Sequence, residues 1–589
     1  MGNYRNFRLV YYFVAQGTAR AEKEKLEKDL AFFERYLRVD KVYLEPFRGG
    51  ILADTDHLEL CRKTFEEHGV EVAGGLTTTI RTPDGEEPKQ RLFDTFCYND
   101  EKMLQRLREV CSFLGSRFSE FIIDDFFFTN CTCEACRRGR DEYNRAHGIA
   151  DGSWKEYRLS LMEKVSREEI IAPAKAANPD CRITIKYPNW AESYQETGYN
   201  PAAQRKLFDR IYTGTEARDT VTTDQHLPRY LSYSLMTYFE SMLPGRNGGG
   251  WFDPFDLRIT EQYLEQAYLT AFARPKEIML FCFQALADHA FVPPLGYHLD
   301  KLDEILDHCG NPVGIPCYLP DNCQGEDNVQ DFLGMCGLPV MLTPYWPGQA
   351  PSLLLTRSSA CDPDIVEKLE KYTAAGGKAL VTSGFLEAAM DRGIQRMTSI
   401  RFTGRRIRGR HYRVENDPRR RGTDYPTGTE DIGVPVCEFR NNATWAVVKV
   451  ADTEESFGIL LKDTYGKGQM WTVAVPDSFP DFYKMPGRAL TRIRREFHTG
   501  AYLECRAGIS LFPYDNDTLI VYPYVTSLAQ PSTVYLHVAG EAKALEMPVR
   551  KSFSGDGPVR IVPLYARDGE TVFELPAVPG KYELYRIVR

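Results

Sequence analysis

The sequence predicts an α/β protein in which a (β/α)8 barrel precedes an open α/β domain and a small β-sandwich. Three observations carry this reading. Eight short apolar runs alternate with amphipathic helical stretches through the first half, the pattern changes near Gly310, and short alternating strands with Pro and Gly turns follow Gly500. Alternation of strand and helix implies parallel strands joined by crossovers, and eight of them within about 250–300 residues suit a closed barrel, with a doubly wound open sheet as the alternative because strand count does not prove closure. The boundaries read as 1–308 for the barrel, 309–499 for the α/β domain and 500–589 for the sandwich.

The expected barrel strands are 9–15, 42–45, 70–76, 121–126, 183–187, 210–215, 235–240 and 278–283. The first run follows Arg5 and Arg8 and so mimics a short signal peptide. It is rich in Val, Tyr and Phe and leads at once into a charged helix near Ala19, which favours a buried strand. A cytoplasmic chain with fifteen reduced cysteines follows from that reading. In the second domain, helix 364–372 is followed by Gly376, Gly377 and strand 379–382. This pattern resembles an amidotransferase-like domain. It lacks a phosphate loop, because Gly466, Lys467 and Gly468 do not follow a strand with the required glycine spacing. Cys317, Cys336 and Cys361 come with no nucleophile signature, so packing and oligomerisation are the expected roles and no organic cofactor is implied.

Composition narrows the function. A chain of 589 residues exceeds a single core, and 43% hydrophobic with 26% charged residues is globular. A net charge of −9 repels phosphate backbones, and the short run Arg419, Arg420, Arg421 sits between Pro418 and Gly422 as a solvated loop. Nucleic acid is therefore excluded as a partner. No apolar run is long enough to span a bilayer, which excludes an integral membrane protein.

In such a barrel the chemistry lies where strands end. The expected strand ends carry Glu45 and Arg48; Asp124 and Asp125; Lys186, Asn189 and Trp190; Glu216, Arg218 and Asp219; and Glu240. Buried acids are costly, so a ring of them around one mouth is hard to justify by packing, although some of them can lie outside it. Glycosidic cleavage needs one carboxyl group to protonate the leaving oxygen and a second to attack the anomeric carbon or activate water. Phe126 to Phe128, Tyr187, Trp190, Tyr238 and Trp251 are candidate sugar platforms, each of them also an ordinary core residue. Gly248, Gly249 and Gly250 read as a flexible loop that makes Trp251 mobile. After the fourth run, CTCEAC places Cys131, Cys133 and Cys136 within six residues, and Cys97 precedes the helix leading into that run. Four such thiols fit a closed, structural zinc site, against the alternative of free buried thiols.

This constellation resembles glycoside hydrolase family 42, the β-galactosidases with a barrel, an α/β trimerisation domain and a small C-terminal β domain. The resemblance rests on Cys97, the acid pair Asp124 and Asp125, the C-x-C-x-x-C run, the following RRGRDEYNRAHG, the segment LMTYFESMLPG, and the domain order. It implies a retaining hydrolase of a terminal, galactoside-like glycoside. Asp125 would be the acid/base, Asp124 would stand where the family has a sugar-binding Asn, and Glu240 would be the nucleophile. It also implies a homo-oligomer, as a trimer. The chain departs from the family in having Asp-Asp where the family has Asn-Glu. Glu216 is the rival partner, because Asp125 with Glu216 resembles the retaining pair of α-galactosidase-like barrels. Glu45, Arg48, Lys186, Asn189, Trp190, Arg218 and Trp251 are the expected sugar contacts. An inverting enzyme or a phosphorylase similar to the lacto-N-biose phosphorylases, and a non-catalytic carbohydrate-binding barrel, are the alternatives.

Overall fold

A computed structural model describes residues 3–80, 92–415, 426–452, 454–525, 531–552 and 557–589, so the run 419–421 lies outside the described residues. Eight parallel strands close a barrel: β1 Arg8–Phe13, β2 Lys41–Arg48, β3 Glu71–Leu76, β4 Glu120–Ile123, β5 Arg182–Tyr187, β6 Arg210–Gly214, β7 Asn247–Phe252 and β8 Glu277–Leu280. Closure is explicit, because β1 pairs with β2 on one side and β8 on the other. Every second side chain points inward, and Val10, Tyr12, Tyr43, Ala73, Ile122, Tyr212, Trp251 and Met279 fill the interior. Beneath them Lys41, wholly buried, is held by Glu120 at 3.1 Å, Glu277 at 2.7 Å and the Tyr43 hydroxyl at 2.9 Å. The crossover helices turn apolar faces to the barrel, as in Glu101–Arg117, where Met103, Leu107, Val110, Cys111 and Leu114 are buried at helical spacing.

The seventh expected strand is corrected. Residues 235–240 belong to helix Leu231–Met242, and the strand is the glycine-rich β7, which the sequence reading treated as a loop. The helix misleads because residues 231–239 are all buried, so a continuous apolar run hides its period. The glycines of β7 have a packing reason. A Cβ on Gly248 would stand 2.9 Å from the Tyr212 ring, and one on Gly249 would stand 2.1 Å from the Glu277 carbonyl oxygen. Trp251 is accordingly a fixed wall and not a mobile platform, 2% exposed and stacked on Phe281 at 5.0 Å.

The described chain divides into two compact units, Met1–His226 with Leu243–Asp303, and Leu227–Met242 with Glu304–Arg589. Helix Leu231–Met242 therefore groups with the second unit, where Thr237 Oγ1 accepts from Leu342 N at 3.1 Å and Tyr230 donates to the Val340 carbonyl at 2.9 Å. That unit holds a mixed sheet of β9 Ile315–Tyr318, β10 Val340–Thr343, β11 Ser352–Leu355, β12 Lys378–Thr382, β13 Arg401–Val414, β14 Thr427–Glu438, β15 Thr444–Ala451, β16 Ser456–Tyr465 and β17 Gly468–Val473. Their order is β10-β9-β11-β12-β17-β16-β15-β13-β14, parallel from β10 to β17 and antiparallel beyond.

Two antiparallel sheets follow. They comprise β18 Ala501–Glu504, β19 Ile509–Pro513, β20 Thr518–Pro523, β21 Ser532–Ala539, β22 Ala544–Lys551, β23 Pro558–Ile561, β24 Tyr565–Arg567, β25 Glu570–Ala577 and β26 Glu583–Val588. The sheets β18-β21-β25-β24 and β19-β20-β26-β22-β23 share one core that includes Leu503, Leu511, Leu536, Leu545, Phe573 and Tyr585.

Gly249→Ala is expected to destabilise the barrel by at least about 1–3 kcal/mol, because the obstacle is backbone and cannot rotate away. Chemical denaturation checks this, and an unchanged midpoint would contradict the close approach.

Candidate functional site

The C-terminal ends of β2, β4, β5, β6, β7 and β8 surround a cavity of about 600 Å3 in the first unit. Strand β2 brings Arg48, and the turn after β4 brings Asp124 and Asp125. Strand β5 brings Lys186, the turn after β6 brings Glu216 and Arg218, and β7 and β8 contribute Trp251, Asp253 and Phe281. Gly214 leaves room for Glu216, since a Cβ there would stand 2.6 Å from Glu216 Oε2 and 3.1 Å from the Asn189 amide nitrogen.

Lys186 is the hub. Its ammonium donates to Asp125 Oδ2 at 2.6 Å and Glu216 Oε1 at 3.1 Å, stands 3.8 Å from Asp124 Oδ1, and lies 4.2 Å over the Trp251 ring. Burial would lower its pKa, but the three carboxylates outweigh burial and raise it. Asp124 also accepts from Arg48 Nη2 at 2.5 Å and from the Asp125 amide at 2.8 Å. Burial opposes its ionisation, yet Arg48 and Lys186 hold its carboxyl below the ordinary value. Asp125 behaves oppositely. Burial pushes it up to about 7, with Asp124 and Glu216 adding to the rise and Lys186 opposing it. The two adjacent acids are thus shifted in opposite directions, Asp124 down and Asp125 up.

Of the expected residues, Arg48, Asp124, Asp125, Lys186, Asn189, Trp190, Glu216, Arg218 and Trp251 line the cavity. Asn189 acts locally, donating to the Glu216 carbonyl at 2.7 Å. Glu45 is fully buried behind the cavity, where it accepts from Tyr12 at 2.7 Å, Ala15 N at 2.9 Å and Arg48 Nε at 2.8 Å, so it orients Arg48. Asp219 pairs with Arg258. Glu240 is corrected: it is exposed on helix Leu231–Met242 and does not end a barrel strand. Tyr238 shares that helix, while Phe127 and Tyr187 are core residues, so the aromatic walls are Phe93, Phe126, Phe128, Trp190, Trp251, Phe255 and Phe281.

Sequence reasoning missed Asp253, the acid that directly follows β7. It is 3% exposed, and the Arg218 fork grips it with Nε 3.0 Å from Oδ1, while Oδ1 also accepts from Phe255 N at 3.1 Å. Burial raises its pKa despite Arg218. The signal was present in WFD, but it counts only once the preceding glycines are read as a strand. Glu216 Oε2, by contrast, is buried with no hydrogen-bond partner among the described residues.

Outside the cavity, Cys97, Cys131, Cys133 and Cys136 bring four sulfurs within 4.8 Å of one another, a group that could hold a metal ion. Cys97 Sγ stands 3.7 Å from Cys133 Sγ and 3.6 Å from Cys136 Sγ, far beyond a disulfide bond.

Titration of the Asp125 carboxyl near pH 7 is checked by carboxyl-carbon NMR. Asp124→Asn removes a negative neighbour that raises it, so the midpoint is expected to move down; an upward shift would contradict the charge arrangement.

Residues 1–294 match the family model described as "Probable glycosyl hydrolase, catalytic domain", and residues 310–478 match "Uncharacterized protein SSO3021, second domain". The protein of that name from Saccharolobus solfataricus is 30% identical over 298 residues, covering 47% of this chain and 48% of its own, so the chain spans about half the length of this curated relative. Among solved structures, α-L-fucosidase isoenzyme 2 from Paenibacillus thiaminolyticus superposes with a TM-score of 0.66 at 12% identity over 100% of both chains. A family 42 β-galactosidase from G. stearothermophilus gives 0.63 at 11% identity over 99% of this chain and 98% of its own. The β-galactosidase from Bacillus circulans sp. alkalophilus gives 0.62 at 12% identity over 96% and 98%. These likenesses establish a shared fold. The likeness to a probable glycosyl hydrolase catalytic domain covers residues 1–294, the barrel of this chain.

Proposed function

We propose that the barrel hydrolyses a terminal, galactoside-like glycoside with retention, using Asp125 as acid/base and Glu216 as nucleophile. One observation carries this reading: both carboxyl groups share the Lys186 ammonium, at 2.6 and 3.1 Å. That sharing limits the two oxygens to less than about 6 Å apart, within reach of the roughly 5–5.5 Å of retaining pairs and short of the roughly 6.5–9.5 Å of inverting ones.

In the first step a Glu216 oxygen bonds to the anomeric carbon as the glycosidic C–O bond breaks, and Asp125 gives its proton to the departing oxygen. In the second, Asp125 takes a proton from water, the water oxygen bonds to the anomeric carbon, and the ester to Glu216 breaks. A carboxyl group raised to about 7 suits the proton donor. Lys186 positions both acids, and the Trp190, Phe126 and Phe281 faces suit sugar C–H surfaces. Asp253 supports a second reading, because it ends the seventh strand, where the family 42 resemblance puts the nucleophile. Its Arg218 fork and the Phe255 amide make it the less available carboxylate.

We further propose that the four cysteines hold a structural zinc ion. Zinc at about 2.3 Å from each of four sulfurs sets them about 3.8 Å apart, close to the spacing here, and four thiolates leave no open position for catalysis. The free thiols suit a cytoplasmic setting, and the family resemblance extends to a homo-oligomeric, trimeric state.

Glu216→Gly is expected to abolish turnover of chromogenic glycosides and to recover it with azide, whereas recovery only in Asp253→Gly would move the nucleophile there. Asp125→Asn is expected to lose about 10²–10⁴-fold. Because the proton donor must be protonated, kcat/KM should fall as pH rises through about 7, and Asp124→Asn should bring that fall to lower pH. Elemental analysis should find about one zinc per chain, lost in Cys131→Ser together with several degrees of Tm; a metal-free, equally stable chain would remove the zinc assignment.

A further inference from the structure

The second unit contains a cavity of about 580 Å3 with no part in the hydrolytic mechanism. One wall is helix Gly487–Glu496, which buries Ala489, Leu490, Ile493 and Arg494 and thereby presents Arg488, Arg492 and Arg495 on the cavity side. The opposite wall comes from β18, β21 and β25. His537, 8% exposed, stands with Nδ1 3.0 Å from Glu570 and Nε2 3.1 Å from Glu504. Tyr502 donates to Glu570 at 2.8 Å and stacks on the His537 ring at 4.6 Å between centroids. Tyr565 adds a half-exposed aromatic face at the rim.

The mixture of groups selects the ligand class. A bare anion drawn by the arginines would also meet Glu504, Glu570 and Asp568, and a bare cation would meet the arginines. An apolar ligand would displace water from both charged sets without replacing the hydrogen bonds that water makes. A polyhydroxyl ligand satisfies both, because each hydroxyl donates to a carboxylate and accepts from a guanidinium, while its C–H face lies on a tyrosine.

We propose that this cavity is a second saccharide-binding site, of mono- to disaccharide size, separate from the barrel. It involves binding alone and goes beyond the hydrolytic reading without depending on it.

The test uses the full chain carrying Glu216→Gln, to prevent turnover, titrated calorimetrically with galactobiose, cellobiose and digalacturonate, and separately with inorganic phosphate. At least one disaccharide is expected to bind, and Arg495→Ala, Glu570→Gln and the rim variant Tyr565→Ala should each weaken it about tenfold, as for loss of one polar or stacking contact. In an otherwise wild-type chain the same three variants should leave chromogenic glycoside hydrolysis within about twofold of the parent. If the hydrolytic reading fails, turnover is absent while this binding and its loss remain. Disaccharide binding indifferent to all three variants, phosphate binding with no disaccharide bound, or variants that change only sedimentation would each overturn the proposal.

Discussion

The site depends on one buried ammonium. Lys186 sits where three carboxylates converge, and without a cation there Asp124, Asp125 and Glu216 would repel one another in a poorly solvated cavity. Its contacts to the three are unequal, and Arg48 reinforces only Asp124. Arg48 and Lys186 hold the Asp124 carboxyl down while burial pushes Asp125 up, so the two neighbouring aspartates shift in opposite directions. Arg48 is in turn fixed by Glu45, which reaches back to Tyr12, so the electrostatics of the mouth are anchored in the barrel wall.

Closure of the barrel makes such convergence available. Strands distant in sequence deliver their ends to one rim, so an acid after β4, a lysine on β5 and an acid after β6 meet although nearly a hundred residues separate the first from the last. The interior below is filled by aromatic side chains and floored by the Lys41 cluster, which leaves only the rim open for a ligand. The glycines of β7 belong to this economy of space: Tyr212 occupies the volume their side chains would need, and Trp251 then becomes a fixed surface beneath Lys186.

Much of this was legible in the sequence. Seven strands were found from apolar runs bounded by turn residues, and the polar residues after β4, β5 and β6 could be named as soon as the strand ends were known. The cysteine cluster was legible from spacing, and Cys97 from its place before the helix into β4. Two competing patterns account for the failure at the seventh strand. A helix buried on every side looks like a buried strand, and three consecutive glycines look like a loop unless the crowding of Tyr212 is known. That error carried forward, since it promoted Glu240 and concealed Asp253. Nor could sequence reveal that Glu45 points behind the cavity, because successive strand residues face opposite ways and a bend near the strand end changes which of them reaches the rim.

Asp125 and Glu216, held by one lysine, are proposed to act on the same glycosidic bond, Glu216 at the anomeric carbon and Asp125 at the departing oxygen, from a separation too short to admit a water between them. The anomeric configuration of the first-formed sugar, followed by proton NMR immediately after mixing enzyme with a chromogenic glycoside, tests it most directly. Product of the same configuration as the substrate is expected before mutarotation; product of the opposite configuration would rule out the retaining pair.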